Sequence, residues 1–193
     1  MLENEAKRYL SLNGLAEQDG IVIFGGRDDL NIPLGELKQA FSIEQNIYNR
    51  SIDGLSVTEA VPVYDEYVAP LAPETVLIHI GEADLKLFEE DAAVFDNKYQ
   101  ELIAHIRAEK KTCRIVVVSL RNYDNNPLIS ELNKHLKYTA DSEHCEYGDI
   151  ASKKVWNPKS TKEAISFVYS IGFVRPLKDK PPVYDLVKIL FCV

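Results

Sequence analysis

Residues 20–34 read GIVIFGGRDDLNIPL. The run Ile21-Val22-Ile23-Phe24 is apolar at every position and stops at Gly25-Gly26. A strand with one wet face alternates apolar and polar residues, and a strand covered on both faces does not. The run therefore predicts a buried strand that ends in a sharp turn. Two further runs repeat the pattern: residues 75–80 (TVLIHI), closed by Gly81, and residues 115–118 (IVVV). Weaker strands are expected at 47–50 and 146–150.

Helical spacing fills the intervals. Residues 2–16 carry a ragged stripe of Leu2, Ala6, Tyr9, Leu10 and Leu15. Residues 33–41 can form a short helix with Pro33 in its first turn, and 58–67 another in spite of Pro62. Over 91–109, Phe95, Tyr99, Leu102, Ile103 and Ile106 define one apolar face. Asn126-Pro127 reads as an N-cap with proline at the first helical position, followed by Leu128, Ile129, Leu132 and Leu136. A last helix is expected at 183–191, after Pro181-Pro182. Buried strands alternating with helices imply a parallel sheet covered on both faces. The expected fold class is α/β, a three-layer α/β/α arrangement of about five parallel strands. No repeat, low-complexity tract or linker divides the chain, so residues 1–193 read as a single domain, with 1–18 as an N-terminal helix packed on it.

Of the 193 residues 46% are hydrophobic, enough for a sizeable core and too many for a disordered chain. Lys plus Arg number 22 against 30 Asp plus Glu, a formal charge of −8. That balance argues against a nucleic-acid or anionic-membrane surface, which needs a basic face. No apolar run approaches a spanning length, and the start MLENEAKRYL lacks the form of a secretory leader. Cys113, Cys145 and Cys192 are far apart and form no CxxC pair. A reduced, cytoplasmic protein is expected, with no metal and no cofactor, and with a homo-oligomer left open.

In an open parallel sheet, ligands bind beyond the carboxyl ends of the strands. The segments there read FGGRDDLNIPL, NRSIDGLS and HIGEADL. In order and spacing they resemble the blocks of the SGNH (GDSL-type) hydrolases, a family of esterases and acylhydrolases with a flavodoxin-like fold. The resemblance runs from about Gly20 to the C-terminus. It implies a nucleophilic serine at the position of Arg27, with Gly25-Gly26 in place of Gly-Asp. The oxyanion-hole glycine of the second block falls on Gly54, which matches. The oxyanion-hole asparagine of the third block, here Gly81-Glu82-Ala83-Asp84, falls on Ala83. The closing Asp-x-x-His block is placed at 171–174, where Ile171 and Val174 stand for the aspartate and histidine.

The chemistry then fails at each role. Arg27 stays protonated and is no nucleophile, Val174 accepts no proton, Ile171 orients no imidazole, and Ala83 donates no side-chain hydrogen bond. The sequence thus predicts a hydrolase scaffold with a non-hydrolytic site, a pseudoenzyme with a binding or structural role. Its pocket would be formed by Gly25, Gly26, Arg27, Gly54, Gly81, Glu82 and Asp84, open to a small-molecule or anionic ligand. Arg27 is expected to pair with Asp28, Asp29, Glu82 or Asp84 and to fill the pocket. Asp28, Asp29, Glu82 and Asp84 are read as a solvated rim plus one loop-capping aspartate, in preference to a divalent-metal site. His79 is either a satisfied core histidine or a displaced base. Two other readings stand beside this one. An active esterase would use Ser51, Ser56 or Ser170 with His79 or His144. A subunit of an assembly would expose Phe167, Tyr169, Phe173 and residues 190–193. Trp156 is a candidate to lie over the pocket or to anchor a loop.

Overall fold

The apolar run at 21–24 forms β1 (Ile21–Gly25), and every residue of it is buried. The computed structural model describes residues 2–151 apart from 31, 33, 36–37, 39–43 and 123. Within them the remaining strands are β2 (Ile47–Asn49), β3 (Thr75–His79), β4 (Arg114–Val118) and β5 (Glu146–Gly148). All pair in parallel, in the order β2-β1-β3-β4-β5. The helices are α1 (Leu2–Asn13), α2 (Ala60–Tyr67), α3 (Leu85–Glu90), α4 (Ala92–Glu109) and α5 (Pro127–Ser142).

Alternate residues of the strands feed two clusters, as the two-residue period of a strand requires. Val22, Phe24, Val76, Ile78, Ile115 and Val117 meet the inner faces of α2, α4 and α5. Ile21, Leu77, Val116 and Val118 face the other way and join Ile150. The helices start as their sequences dictate. Asp91 accepts hydrogen bonds from the Ala93 and Val94 N–H groups at the head of α4, and Asn126 caps α5 through Leu128 N–H. Pro62 sits in the first turn of α2, where a missing N–H costs little.

Two details differ from expectation. Residues 85–90 form a helix of their own, α3, turned from α4 at the Asp91 cap. Strand β5 ends at Gly148, ahead of the expected Ile150. The expected helix at 183–191 lies outside the described residues, as do Trp156, Ser170, Ile171 and Val174, and most of the helix expected at 33–41.

The order places β1 between its successor β2 on one side and β3 on the other. The crevice between the ends of β1 and β3 is thus the point where the chain switches direction across the sheet, the place where open α/β sheets take ligands. No helix among the described residues is long and apolar enough to cross a membrane.

Candidate functional site

Three turns converge at this crevice. Behind β1, residues Arg27–Asp29 form one 3-10 turn, and Asn49 at the end of β2 holds it by donating from Nδ2 to the Asp29 carbonyl at 2.7 Å. Asn49 Oδ1 in turn accepts the Ser51 N–H at 2.9 Å, which sets the start of the loop leading to Gly54. Gly54 has φ +73° and Gly81 φ +135°, two conformations that favour glycine. Behind β3, residues Glu82–Asp84 form a second 3-10 turn.

Together they enclose a pocket of about 170 Å³ lined by Gly26, Arg27, Asp53, Gly54, His79 and Glu82, with Leu55 and Ile80–Ala83 completing the wall. Gly26, Arg27, Gly54, Gly81 and Glu82 are therefore brought together as expected, and Ala83 adds its methyl group to the same wall.

Gly25 and Asp84 are corrections, because both lie beneath the pocket. Gly25 is the gap through which Asp29 reaches β3: a Cβ there would stand 1.9 Å from Asp29 Oδ2. Asp84 is buried and binds the 56–57 loop, accepting from Ser56 Oγ at 2.5 Å and Val57 N–H at 2.9 Å. Burial raises its pKa, against the lowering effect of those two hydrogen bonds.

Arg27 is the third correction. Its Nε donates to Asp53 Oδ1 at 2.8 Å and its Nη2 to Oδ2 at 3.3 Å, the two-point geometry of a guanidinium–carboxylate pair. The expected partners Asp28, Asp29, Glu82 and Asp84 make no ion pair with it, although Glu82 and Asp28 add to the field that raises its pKa behind the hydrogen bond and charge of Asp53. Asp53 lies on the loop between β2 and Gly54, on the same rim. The Arg27 side chain is 70% exposed, so it borders the pocket and does not fill it.

Asp29 is the fourth correction, since it belongs to no solvated rim. It is fully buried, and its Oδ2 meets His79 Nδ1 at 2.8 Å. This pair joins residues fifty positions apart at the ends of adjacent strands. Burial opposes a charged imidazole, but the field and hydrogen bond of Asp29, helped by Asp28, outweigh it and raise the His79 pKa; Arg121 acts in the opposite sense. With Nδ1 committed to Asp29, the other ring nitrogen is left for whatever enters, and the ring borders the pocket. Among the described residues no histidine is hydrogen-bonded to a serine: His105 pairs with Asp65 and His135 with Asp96. Ser56 Oγ is engaged by Asp84 and Thr58, and Ser51 Oγ is buried without a partner.

A second cavity of about 120 Å³ adjoins the first and shares Gly26, His79 and Glu82 with it. Its far wall comes from Leu120 and Arg121, which follow β4. Asn133 of α5 fixes that segment by accepting from Leu120 N–H at 2.7 Å and donating to Leu120 C=O at 2.8 Å. Asn133→Ala would leave both buried backbone groups unmet. We expect a loss of about 2–3 kcal/mol, read as a lower urea midpoint with an unchanged slope.

Solved structures share this fold. A protein from Streptococcus pneumonia, described provisionally as a platelet activating factor, superposes with a TM-score of 0.68 at 16% identity, over 87% of this chain and 92% of its own. A GDSL-like lipase from Bacteroides thetaiotaomicron gives 0.61 at 18% identity, over 86% and 92%. The chain has the fold of the GDSL-like hydrolases. Axe2, an acetylxylan esterase from Geobacillus stearothermophilus, is a further example, with a TM-score of 0.58 at 16% identity over 83% of this chain and 98% of that one. No protein-family model and no curated protein matches the sequence. The likeness to the GDSL-like structures thus lives in the fold.

Proposed function

We propose that this chain is a non-hydrolytic form of the GDSL-like fold whose crevice binds a small polar molecule. One observation carries the reading. At the end of β1, where the resemblance puts the hydrolase nucleophile, stands a guanidinium tied by two hydrogen bonds to Asp53. A group that stays protonated and is held by a carboxylate attacks no ester. Ala83 supports the reading, because its methyl group adds no donor for an oxyanion.

What the crevice keeps is a charged, partly enclosed space. Arg27, Asp53, His79 and Glu82 supply both signs around about 170 Å³, enough to orient a polar ligand. Partial burial and the nearby Asp28 push the Glu82 carboxyl up, while Arg27 and His79 pull it down.

One observation favours a rival. The Asp29–His79 pair has the base-and-orienter form of a hydrolytic site, and its ring borders the pocket. Of the three serines named for that role, Ser56 is held by Asp84, Ser51 is fully buried, and Ser170 lies outside the described residues. The third reading, a subunit completed by a partner, rests on Phe167, Tyr169, Phe173 and residues 190–193, all outside the described residues.

The test is an assay of purified protein with nitrophenyl acetate and butyrate. No turnover above buffer is expected. Saturable turnover that disappears on replacing one particular serine would overturn the proposal and revive the esterase.

A further inference from the structure

Arg121 lines the smaller cavity and carries a donor with no acceptor. Arg121 Nε is buried without a hydrogen-bond partner, and among the described residues no carboxylate forms an ion pair with the guanidinium. The side chain projects from a segment that Asn133 locks through both Leu120 backbone groups, so its base is held firmly. An unmet buried N–H costs free energy that a bound acceptor would recover.

His79 borders the same cavity, and its charge and that of Arg121 oppose each other. Arg121 and the Asp29-paired ring of His79 both line this cavity, and with the unmet N–H they mark a place for an anionic group. Asp28 and Glu82 also line this cavity, and Glu82 lines the larger pocket as well. The Glu82 carboxylate rests over Gly26, where a Cβ would stand 4.0 Å from its Oε2, and it makes no ion pair among the described residues. A cation close to Glu82 would offset the field of Asp28. Between these charged edges Leu85, Leu120 and Ile129 give an apolar wall.

A simple anion would satisfy Arg121 and His79 and suffer repulsion from Glu82. A simple amine would do the reverse. A molecule carrying both charges a short distance apart, with an aliphatic arm, meets all three surfaces. We propose that the smaller cavity binds an α-amino acid with an aliphatic side chain, its carboxylate on Arg121 and His79, its ammonium on Glu82 and Asp28, and its side chain against Leu85, Leu120 and Ile129. The inference rests on the ligand-binding reading above and names its ligand class.

The experiment is calorimetric titration of the full chain with L-leucine and with its two halves, 4-methylpentanoate and 3-methylbutylamine. Saturable leucine binding is expected, with each half at least tenfold weaker. Arg121→Gln should weaken leucine at least tenfold and tighten the amine. Glu82→Gln should weaken leucine and the amine and tighten the carboxylate. Both side chains lie at the cavity edge, so the variants are expected to fold, and circular dichroism of each confirms it. No saturable heat from leucine up to about 10 mM overturns the proposal, as does 4-methylpentanoate binding as tightly as leucine, or leucine binding unaltered in both variants. Ester turnover in the same preparation is a separate result: it would end the non-hydrolytic reading, whereas a flat leucine titration without turnover ends only this one.

Discussion

Asp29→Ala is expected to destabilise the protein by about 3–5 kcal/mol at neutral pH, among the largest effects of any polar substitution in the described residues. The reason is the buried pair with His79. Removing the carboxylate leaves the almost wholly buried imidazole with no counter-charge, and the ring must discharge to stay there. The loss carries a pH signature. The folded pKa of His79 is raised above 6.5, so the pair contributes its full stability below that value and loses it as pH rises through the raised one. In Asp29→Ala the sign reverses, since a buried neutral ring is penalised at low pH. Urea denaturation from about pH 6 to 9 should therefore show the two proteins converging as pH increases. A constant gap would mean that the pair is not charged in the folded state.

Gly25→Ala should come close to that effect, at about 3 kcal/mol or more, although it adds only a methyl group. Its Cβ would lie 1.9 Å from Asp29 Oδ2 and 3.2 Å from the His79 carbonyl oxygen. Asp29 has no exposed position to move to, so the carboxylate must leave His79 or β1 must shift against β3. The two substitutions act on one contact and will not add. In an Asp29→Ala background the methyl group has room, and most of the Gly25→Ala cost should vanish. A double-mutant cycle by urea denaturation reads this directly; additive losses would show that Gly25 serves β1 independently of Asp29.

The contrast between these residues and the strands explains what the sequence made legible. Strands β1, β3 and β4 each hold an unbroken apolar stretch because both faces are buried there, and such stretches are readable one segment at a time. The caps Asp91 and Asn126 are equally local. The convergence of Gly26, Gly54 and Gly81 was legible because each closes a block at a strand end. The charge pairs were not. Asp53 reaches Arg27 only because β2 lies beside β1 and the loop turns at Gly54 with φ +73°. Asp29 reaches His79 only because Gly25 has no side chain, a steric fact that spacing in sequence does not carry. Sequence reasoning paired Arg27 with Asp28, Asp29, Glu82 or Asp84 and placed Asp29 on the rim for want of those two facts. Arg121 was missed outright; its one signal was a cation directly after a buried strand, at the end of the sheet where ligands bind.

The central claim is that the crevice of a GDSL-like fold here holds no reactive nucleophile. A fluorophosphonate reagent, which captures activated serines of hydrolases, tests it in one measurement on the full chain: intact mass after prolonged incubation. The account predicts an unmodified mass, with serines such as Ser51 and Ser56 unreactive in the folded protein. A single stoichiometric adduct on one serine, lost when His79 is replaced by asparagine, would contradict it and make the Asp29–His79 pair the base of a working hydrolase.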